Sequence, residues 1–560
     1  GPECRLVSSI LEILRSGPAP PPSLEEVRSS DAVLVLGEDV TNTAPVLALA
    51  LRQSVRQRPA KDAVAMGIPF WNDAAVREVV QQARGSLFVA TVAPTRLDEV
   101  ATECHRAAPD DLARLGFAVA GALSEEAPKV DGLPSEEQAL AERIAEALRE
   151  AERPLVVAGT GCGNEAVLQA AANVAWALRS AGRPAALSFT VPECNSLGLG
   201  LMGGGAIDEV FRAVRWGKAD TVIVLENDLY RRADAADVDA LLQTARHVIA
   251  IDHLANATTD RADVVLPAAT FAEGDGTLVN NEGRAQRFYQ VFAPVGVVQE
   301  SWRWLRDVMV TAGRHEAESW RDLDDIVSAM IRALPVFEPV AEVAPSADFR
   351  LAGQKVARQH QRYSGRTAMY AHIDVSEPAP PEDPDAPFVF SMEGYQGQPP
   401  PPLIPRFWAP GWNSVQSLNR FQEEVGGPLR GGDPGRRLLE PSREGPRHFF
   451  QDLPPAYKPR DGELLIVPLH HIFGSEELSI HSPGVAELAP TPYIALSPRD
   501  AEELRLGEGA EMQISLGGLR RRLVARLMPV LPAGVAGLPV GLPQLLGITL
   551  PAWARVANDE

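Results

Sequence analysis

The feature of this sequence that most constrains its fold is a continuous apolar run that is closed by glycine and followed by a helical pattern. Residues 31–37, DAVLVLG, form such a run, and residues 46–55 carry the helical pattern. An apolar run without polar alternation is typical of a strand that is buried on both faces of a parallel sheet. Because this order of strand, turn and helix recurs along the chain, the sequence predicts an α/β fold with a doubly wound sheet.

The apolar runs recur at distances that leave room for a helix between them. Further strands are predicted at residues 86–93, 154–160, 185–191, 220–225, 247–252 and 263–266. The clearest helix is predicted to begin at Ser135, whose side chain would cap it while Gln138 reaches back to the cap residue. Its apolar positions, Leu140, Ile144 and Leu148, recur every four residues and define one buried face.

An internal repeat divides the α/β region, which we expect to span residues 31–333. The segment DAVLVLGEDV at 31–40 aligns without a gap with DTVIVLENDL at 220–229. The repeat indicates two Rossmann-like halves, at about 31–130 and 131–333. The loops after their first strands would then meet at a shared crevice at the carboxyl ends of the strands, where such sheets bind ligands.

The remaining parts of the chain differ from the α/β region in composition and in apolar periodicity. Residues 1–30 are predicted to be an N-terminal linker that carries a short amphipathic segment at 5–14. Residues 334–462 are rich in proline and tryptophan, and we expect an irregular insertion that is ordered because it is too apolar for a disordered tail. Residues 463–560 show the period of strands, with Gly517 and Gly518 in a hairpin turn, and predict a compact C-terminal β-barrel.

Composition excludes several classes of function. The chain has 53 Lys and Arg against 74 Asp and Glu, and a net charge of −21 disfavours nucleic acid as a partner. Its four cysteines include no C-x-x-C pair, so neither a disulfide framework nor a cluster-binding box is predicted. The uncharged stretch at 527–554 is long enough to span a bilayer. It contains five prolines, which argues for buried loops and strands instead.

Two polar loops could carry chemistry. The loop GEDVTNTAP at 37–45 offers Gly37, Asp39 and Thr41 near a helix N-terminus, which favours anions, but residue types alone favour an ordinary loop with capping residues. The turn GTGCGNEA at 159–166 could cradle a phosphate, although close packing of helix on strand explains its glycines more simply. Within it, Cys162 lies near a helix N-terminus, a position that lowers the pKa of a thiol.

The histidines are a weaker signal for a site. His470 and His471 are adjacent, and adjacent residues on a strand point to opposite faces, so they cannot easily share one metal ion. We therefore predict no metal site, and the simplest interpretation is that both are barrel histidines with hydrogen-bonding partners. No residue of the chain is assigned a catalytic role.

Several longer segments resemble a known family. The segment ADVVLPAATFAEGDGTLVNNEGRAQRF at 262–288 resembles an element of the molybdopterin-dependent oxidoreductases, and residues 474–514 are similar to the closing barrel domain of that superfamily. More narrowly, five segments are similar to the large iron–sulfur subunits of bacterial NADH-quinone oxidoreductase, respiratory complex I. They are VLGEDVTNTAP (35–45), VIVLENDLYRRAD (222–234), RYSGRTAM (362–369), FSMEGY (390–395) and FWAPGWNSVQSLNRFQEEVGG (407–427).

This resemblance implies a role without chemistry of its own. It implies the molybdopterin-oxidoreductase fold without the metal, in a complex that passes electrons from NADH through FMN and iron–sulfur clusters to quinone while translocating protons. The 2Fe-2S and 4Fe-4S clusters would be bound by a preceding N-terminal part, because the chain begins with Gly-Pro rather than Met and lacks cysteine boxes. No cofactor is expected within these residues. Six residues would line the former pterin crevice as geometry only, namely Gly37, Asp39, Thr41, Asn227, Asp252 and Asn281.

Partners and alternatives follow from the same resemblance. The partners would be the NADH/FMN-binding and iron–sulfur subunits of the peripheral arm, which lies on the cytoplasmic face of the inner membrane without a span in this chain. The Trp-rich insertion would be one contact surface, because aromatic residues anchor interfaces. Two alternatives remain: a fragment of a catalytic molybdopterin oxidoreductase of the formate-dehydrogenase kind, and a crevice that binds another nucleotide.

Overall fold

The computed structural model contains a five-stranded parallel sheet with strands on both sides of the first predicted strand. The structure describes residues 2–69, 72–344, 346–347, 434–442, 448–516 and 519–557. The strands of this sheet are β1 (Ala32–Leu36), β2 (Ser86–Thr91), β3 (Glu103–Arg106), β4 (Pro154–Gly159) and β5 (Ala186–Thr190). Their order is β3-β2-β1-β4-β5, so the direction of winding reverses between β1 and β4.

Helices cover both faces of this sheet, as the apolar runs predict. The helices of this region are α1 (Pro2–Ser16), α2 (Leu24–Arg28), α3 (Val40–Thr43), α4 (Pro45–Ser54), α5 (Gln57–Ala65), α6 (Asp73–Val80), α7 (Pro109–Leu123), α8 (Ser135–Glu150), α9 (Glu165–Ser180) and α10 (Ser196–Met202). Leu34 and Leu36 of β1 pack in one core with α7, α8 and α9. Val33 and Val35 point the other way and pack with α2 and α4. The doubly wound sheet is therefore present in this part of the chain.

The structure differs from the sequence prediction at three details of this region. Residues 1–30 are predicted as a linker, but α1 buries Ile10, Ile13 and Leu14 in the main core. The expected boundary near 130/131 falls inside the sheet, because β1 pairs with β2 on one side and with β4 on the other. The prediction that Ser135 caps α8 is wrong: Pro134 is the N-cap residue and makes no side-chain hydrogen bond.

A second, smaller parallel sheet follows in the chain. It consists of β6 (Thr221–Leu225), β7 (His247–Asp252) and β8 (Val264–Pro267), with α11 (Ile207–Arg215) before β6 and α12 (Ala235–Thr244) between β6 and β7. The strands pair in sequence order. Val222, Val224 and Val248 pack against the two helices on one side of the sheet, while Ile223 and Leu225 on the other side are about half exposed.

An antiparallel hairpin and two helices complete the α/β region. The strands β9 (Gly276–Val279) and β10 (Arg284–Phe288) pair with the short β11 (Arg436–Arg437), and the helices are α13 (Ser301–Thr311) and α14 (Leu323–Ala333). Of the predicted insertion, the three motifs at 362–369, 390–395 and 407–427 lie outside the described residues.

The C-terminal region is a closed six-stranded barrel, which confirms the predicted β-barrel. Its strands are β12 (Glu463–Leu469), β13 (Tyr493–Leu496), β14 (Glu511–Leu516), β15 (Leu519–Leu527), β16 (Val535–Pro539) and β17 (Ala552–Ala557), with the short helices α15 (Pro483–Ala486) and α16 (Pro498–Glu503). The uncharged stretch at 527–554 contains β16 and part of β17. Its residues in the barrel core are Ala536, Leu538, Leu542, Leu545 and Ala554. In the described part of the chain, no helix has both the length and the apolarity to cross a bilayer.

Candidate functional site

The carboxyl ends of β1 and β4 bring together two loops at the point where the order of the strands reverses. Gly37 and Glu38 follow β1, and the glycine-rich turn at 159–163 follows β4. Gly37 has a φ of +71°, and a Cβ atom on it would lie 2.7 Å from Val167 and 3.2 Å from the sulfur of Cys162. Glycine is therefore required here by both conformation and space, and the close approach places Glu38 directly against the turn.

Glu38 occupies the centre of this arrangement, although no sequence pattern singles it out. Its side chain is 1% exposed. The backbone N–H of Gly161 donates to Oε2 at 2.7 Å, and the hydroxyl of Thr43 donates to Oε1 at 2.7 Å. The buried hydroxyl of Thr190 adjoins the same carboxyl group without a well-aligned partner. Burial raises the pKa of Glu38, the hydrogen bonds from Thr43 and Gly161 oppose this, and the neighbouring charge of Asp39 adds to it.

Asp39 and Thr41, which the sequence places in the crevice, bond to each other. The carboxylate of Asp39 caps α3: it accepts from the backbone N–H of Thr41 at 3.2 Å and from the Thr41 hydroxyl. Its second oxygen accepts from the side-chain amide of Asn42 at 2.6 Å. These bonds are those of an N-cap, so the local geometry agrees with the capping interpretation of this loop.

The other three predicted residues lie in separate turns. The amide oxygen of Asn227, after β6, accepts from Nε of Arg232 at 3.0 Å. Asp252, the last residue of β7, is buried and accepts from the backbone N–H of Leu254 and from the side chain of Asn256. Asn281 lies in the turn between β9 and β10. Gly37, Asp39 and Thr41 thus come together. Asn227 and Asp252 lie at the ends of the paired strands β6 and β7, whose turns are joined by the hydrogen bond from the Thr258 hydroxyl to Asp228, whereas Asn281 lies in the turn between β9 and β10.

The internal repeat extends from sequence to backbone geometry. Gly37 and Glu226 occupy equivalent positions, and both have a positive φ, of 71° and 45°. Their N–H groups donate at 2.7 Å to carbonyls on the adjacent strands, Ala90 on β2 and Ile251 on β7. Two positions further along the repeat, Asp39 and Asp228 each accept from the backbone N–H two residues further on, at 3.2 Å in both cases. The two strands therefore end in turns of the same construction.

Loops of the barrel contact the turns after both sheets. On the first sheet, the backbone N–H of Ile472 donates to Oδ1 of Asn42 at 3.0 Å, and a Cβ on Gly163 would lie 2.3 Å from the ring of Pro551. On the second sheet, the N–H of Gly547 donates to the carbonyl of Tyr230 at 2.7 Å. The barrel therefore lies against the edge at which both sheets end their strands.

His470 and His471 are partly buried near this edge, and Cys162 is buried there. His470 is neutral near pH 7, because burial lowers its pKa to about 4, and a ring nitrogen of His471 lies 3.0 Å from the hydroxyl of Tyr493. The expectation of a lowered pKa at Cys162 is wrong: burial, with a contribution from Glu38, raises the pKa of this thiol to about 12. Desolvation outweighs the helix terminus because the sulfur has no access to water.

Comparison with known families decides the family of the chain. The family model described as molybdopterin oxidoreductase matches residues 10–310, which include both parallel sheets and the turns at their carboxyl ends.

The chain belongs to the molybdopterin oxidoreductase family.

Within the molybdopterin oxidoreductase family, the chain is similar to curated proteins that are named as the G subunit of NADH-quinone oxidoreductase. It is 48% identical to that of Pseudomonas fluorescens, over 99% of this chain and 62% of the relative. It is 46% identical to that of Salmonella typhimurium, over 98% and 61%, and 46% identical to that of Escherichia coli K12, over 95% and 59%. The chain thus spans about three fifths of the length of these relatives.

A solved structure shows the same fold at low identity. The acetylene hydratase from Pelobacter acetylenicus superimposes with a TM-score of 0.50 at 12% identity, over 96% of this chain and 73% of that one. The likeness extends across the α/β region and the barrel together, so it supports the fold of the residues that the structure describes.

The name of the molybdopterin oxidoreductase family implies a phosphate-bearing pterin with molybdenum, and the residues at this edge do not fit that group. The space above Gly159 and Gly161, where a phosphate would approach the turn, is filled by the carboxyl group of Glu38. Cys162 is 4% exposed and lies in the main hydrophobic core, so its sulfur is not open to a metal ion at this edge. The described residues contain no group of three or more His, Cys, Asp or Glu placed to hold a metal ion.

Proposed function

We propose that this chain is a structural, cofactor-free part of the large iron–sulfur subunit of an NADH-quinone oxidoreductase. The identity of 46–48% to the named G subunits, over 95–99% of the chain, carries the proposal. The complex named in those relatives moves electrons from NADH to quinone. In the proposal, this chain stabilises the subunit and docks its neighbours, and none of its side chains takes part in electron transfer.

The two parallel sheets are proposed to be the two Rossmann-like halves of the family fold, now serving as a scaffold. The equivalent turns after β1 and β6 support this, because Asp39 and Asp228 each accept a hydrogen bond from the backbone N–H two residues further on. Gly37, Asp39, Thr41, Asn227, Asp252 and Asn281 would line the former pterin crevice. A structural role is supported for four of these residues, because the side chains of Asp39, Thr41, Asn227 and Asp252 form hydrogen bonds with neighbouring residues of the chain.

Clusters and partners are proposed for the rest of the assembly. The 2Fe-2S and 4Fe-4S clusters would be bound in the portion of the relatives that lies outside the region aligned with this chain. The neighbours would be the NADH/FMN-binding and iron–sulfur subunits, on the cytoplasmic face of the inner membrane. The absence of paired cysteines in the sequence supports placing the cluster ligands elsewhere.

Replacement of the equivalent region in a relative tests the proposal. In Pseudomonas fluorescens, whose G subunit is 48% identical to this chain, the region aligned with it would be exchanged for this chain. NADH-dependent quinone reduction in membranes should be retained, and deletion of the same region should abolish it together with assembly of the complex. A folded, fully expressed exchange protein that leaves the complex unassembled would contradict the proposal.

Because the chain belongs to the molybdopterin oxidoreductase family, one alternative function is that of a catalytic enzyme fragment, and this alternative can be tested by measurement. A fragment of a catalytic, formate-dehydrogenase-like oxidoreductase would carry molybdenum and release a fluorescent pterin on acid denaturation. The proposed scaffold should contain neither. Stoichiometric molybdenum in the purified chain, measured by inductively coupled plasma mass spectrometry, would contradict the scaffold proposal and favour the enzyme.

A further inference from the structure

The point between β1 and β4 is where a sheet of this kind binds its ligand. In open parallel sheets, ligands lie outside the carboxyl ends of the strands at the position where the strand order reverses. Here that position is between Leu36 of β1 and Gly159 of β4. A glycine-rich turn into a long helix stands there, and such turns hold phosphates because their backbone N–H groups can approach an anion closely.

The structure shows an internal group in that position. A Cβ on Gly159 would lie 2.3 Å from Oε2 of Glu38, and a Cβ on Gly161 would lie 2.4 Å from Oε1. The N–H of Gly161 is already donated to Glu38. The two glycines therefore leave room for a carboxyl group of the chain itself, and that group uses the donor that the turn offers.

We propose that the carboxyl group of Glu38 is a built-in occupant of the glycine-rich turn at 159–163, where it takes the place of an external phosphate and closes this edge to phosphate-bearing cofactors. The inference rests on the proposed function, since it explains how this fold is retained without its cofactor. It does not depend on the charge of Glu38, because a neutral carboxyl group fills the same space and accepts the same N–H.

Three parts of the fold hold the side chain of Glu38 in place, so its carboxyl group has one defined position in the glycine-rich turn. The positive φ of Gly37 turns the chain over the sheet, Thr43 of α3 holds one oxygen, and Gly161 holds the other. Thr190, at the end of β5, adds a buried hydroxyl beside the same group. A side chain that is 1% exposed and bonded on both oxygens cannot leave the turn without loss of these contacts.

Vacating the turn tests the inference. Glu38→Ala removes the carboxyl group, while Glu38→Gln keeps an occupant of the same size and serves as the matched control. Each protein, as the full chain, is titrated with inorganic phosphate and with formate, by calorimetry and by thermal shift. We expect Glu38→Ala to bind both anions and to gain about 1–2 °C in melting temperature at roughly tenfold excess over Kd. The unaltered chain and Glu38→Gln should bind neither at the turn.

Several outcomes would overturn the inference. Binding of phosphate to the unaltered chain at Gly161 would show that the turn is open. A folded Glu38→Ala that binds neither anion would show that the turn is not an anion site. If it binds formate but not phosphate, the carboxyl group of Glu38 does not stand in for a phosphate. If Glu38→Ala does not fold, the inference is tested instead by the backbone amide signal of Gly161, recorded by NMR on protein with labelled glycine. It should follow the titration of Glu38, lose that titration in Glu38→Gln, and remain unmoved by phosphate.

Failure of this inference is distinguishable from failure of the proposed function. Molybdenum or pterin in the purified chain would contradict the proposed function, whatever the variants bind. Absence of both, together with a folded Glu38→Ala that ignores phosphate, would leave the scaffold role intact and remove Glu38 as its explanation.

Discussion

Asn173 in helix α9 and Phe450 in the segment before the barrel form a two-way hydrogen-bonded pair. The side-chain amide of Asn173 donates to the Phe450 carbonyl at 2.9 Å, and its oxygen accepts from the Phe450 N–H at 3.0 Å. Asn173 is completely buried, and the ring of Phe450 stacks on Trp176 one turn further along, with 5.3 Å between centroids. One polar side chain in the core thus fixes a segment 277 positions away.

Asn173→Leu should destabilise the chain strongly. The substitution removes both hydrogen bonds to the partly buried backbone of Phe450, and we expect a loss of about 2–4 kcal/mol in the free energy of unfolding. Urea denaturation followed by circular dichroism measures the loss. Gln138→Leu, on the exposed side of α8, is the control and should change stability by no more than about 0.5 kcal/mol. Equal effects of the two substitutions would contradict the assigned role of Asn173.

Glu38→Gln should change the pH dependence of stability. Burial raises the pKa of Glu38 above its ordinary value of 4.5, so the folded chain holds this proton more tightly than the unfolded chain. The stabilisation from the proton is complete below pH 4.5 and is lost as the pH rises through the folded pKa. Relative to Glu38→Gln, the unaltered chain should therefore lose up to about 1.4 kcal/mol per pH unit in that window.

Denaturation of both proteins across that pH range measures this difference. Groups other than Glu38 titrate in both proteins, so their contribution cancels when the two curves are subtracted. A difference curve that stays flat, or one that rises in the opposite direction, would show that the carboxyl group is not buried as described.

Gly163→Ala should test the contact between the glycine-rich turn and the barrel. Gly163 has a φ of +68°, and a Cβ there would lie 2.3 Å from Pro551. Gly182 has a similar φ of +77° with no atom within 4 Å of its Cβ position, so Gly182→Ala shows the conformational cost alone. We expect Gly163→Ala to cost roughly 1–3 kcal/mol more than its control. Equal losses in thermal unfolding would mean that the barrel does not press on the turn.

Cys162 should be unreactive in the folded chain. Its thiol is buried and has a pKa of about 12, whereas Cys4, Cys104 and Cys194 are exposed. Because the thiolate is the reactive form, native labelling with iodoacetamide at pH 8 should modify the exposed cysteines, and Cys162 only after unfolding. Peptide mass mapping identifies the labelled sites, and Cys162→Ser should leave the native pattern unchanged. Rapid native labelling of Cys162 would refute its burial.

Arg232 should contribute more than a surface arginine. Its guanidinium donates to Asn227 and, at 2.9 Å, to Glu193, and its side chain is 24% exposed. Arg232→Met leaves these acceptors without their donor, and we expect a loss of about 1–3 kcal/mol. Arg314, which is 69% exposed and lies 3.8 Å from Glu316, is the control, and Arg314→Met should cost no more than about 1 kcal/mol. Chemical denaturation of both variants measures the two losses of stability. Equal losses would contradict the predicted contribution of Arg232.

Much of the secondary structure is predictable because it depends on local patterns. The run at 31–37 forms β1, the run at 154–160 forms β4, and both are buried on two faces as their lack of alternation indicates. The alternation in Met512, Ile514 and Leu516 likewise marks a barrel strand with one face inside. Apolar periodicity reports which faces must leave water, and that information lies within a few neighbouring residues.

The candidate site is predictable only in part. Gly37, Asp39 and Thr41 stand out in the sequence because a glycine and capping residues after a strand have a local meaning. Glu38 does not, because a glutamate in a polar loop is normally solvated and nothing beside it in the sequence shows that it is buried. The prediction for Cys162 is wrong for the same reason, since the helix terminus is local but the burial that dominates its pKa is not.

The sequence by itself determined most strands of the two parallel sheets, the amphipathic helix α8, the barrel and the resemblance to the family. Only the tertiary structure decided what lies at the end of β1. It brings the turn at Gly161, 123 positions further along, onto the carboxyl group of Glu38. The physical reason is that burial and hydrogen bonding at this point depend on contacts between distant segments, which form only when the sheet is assembled.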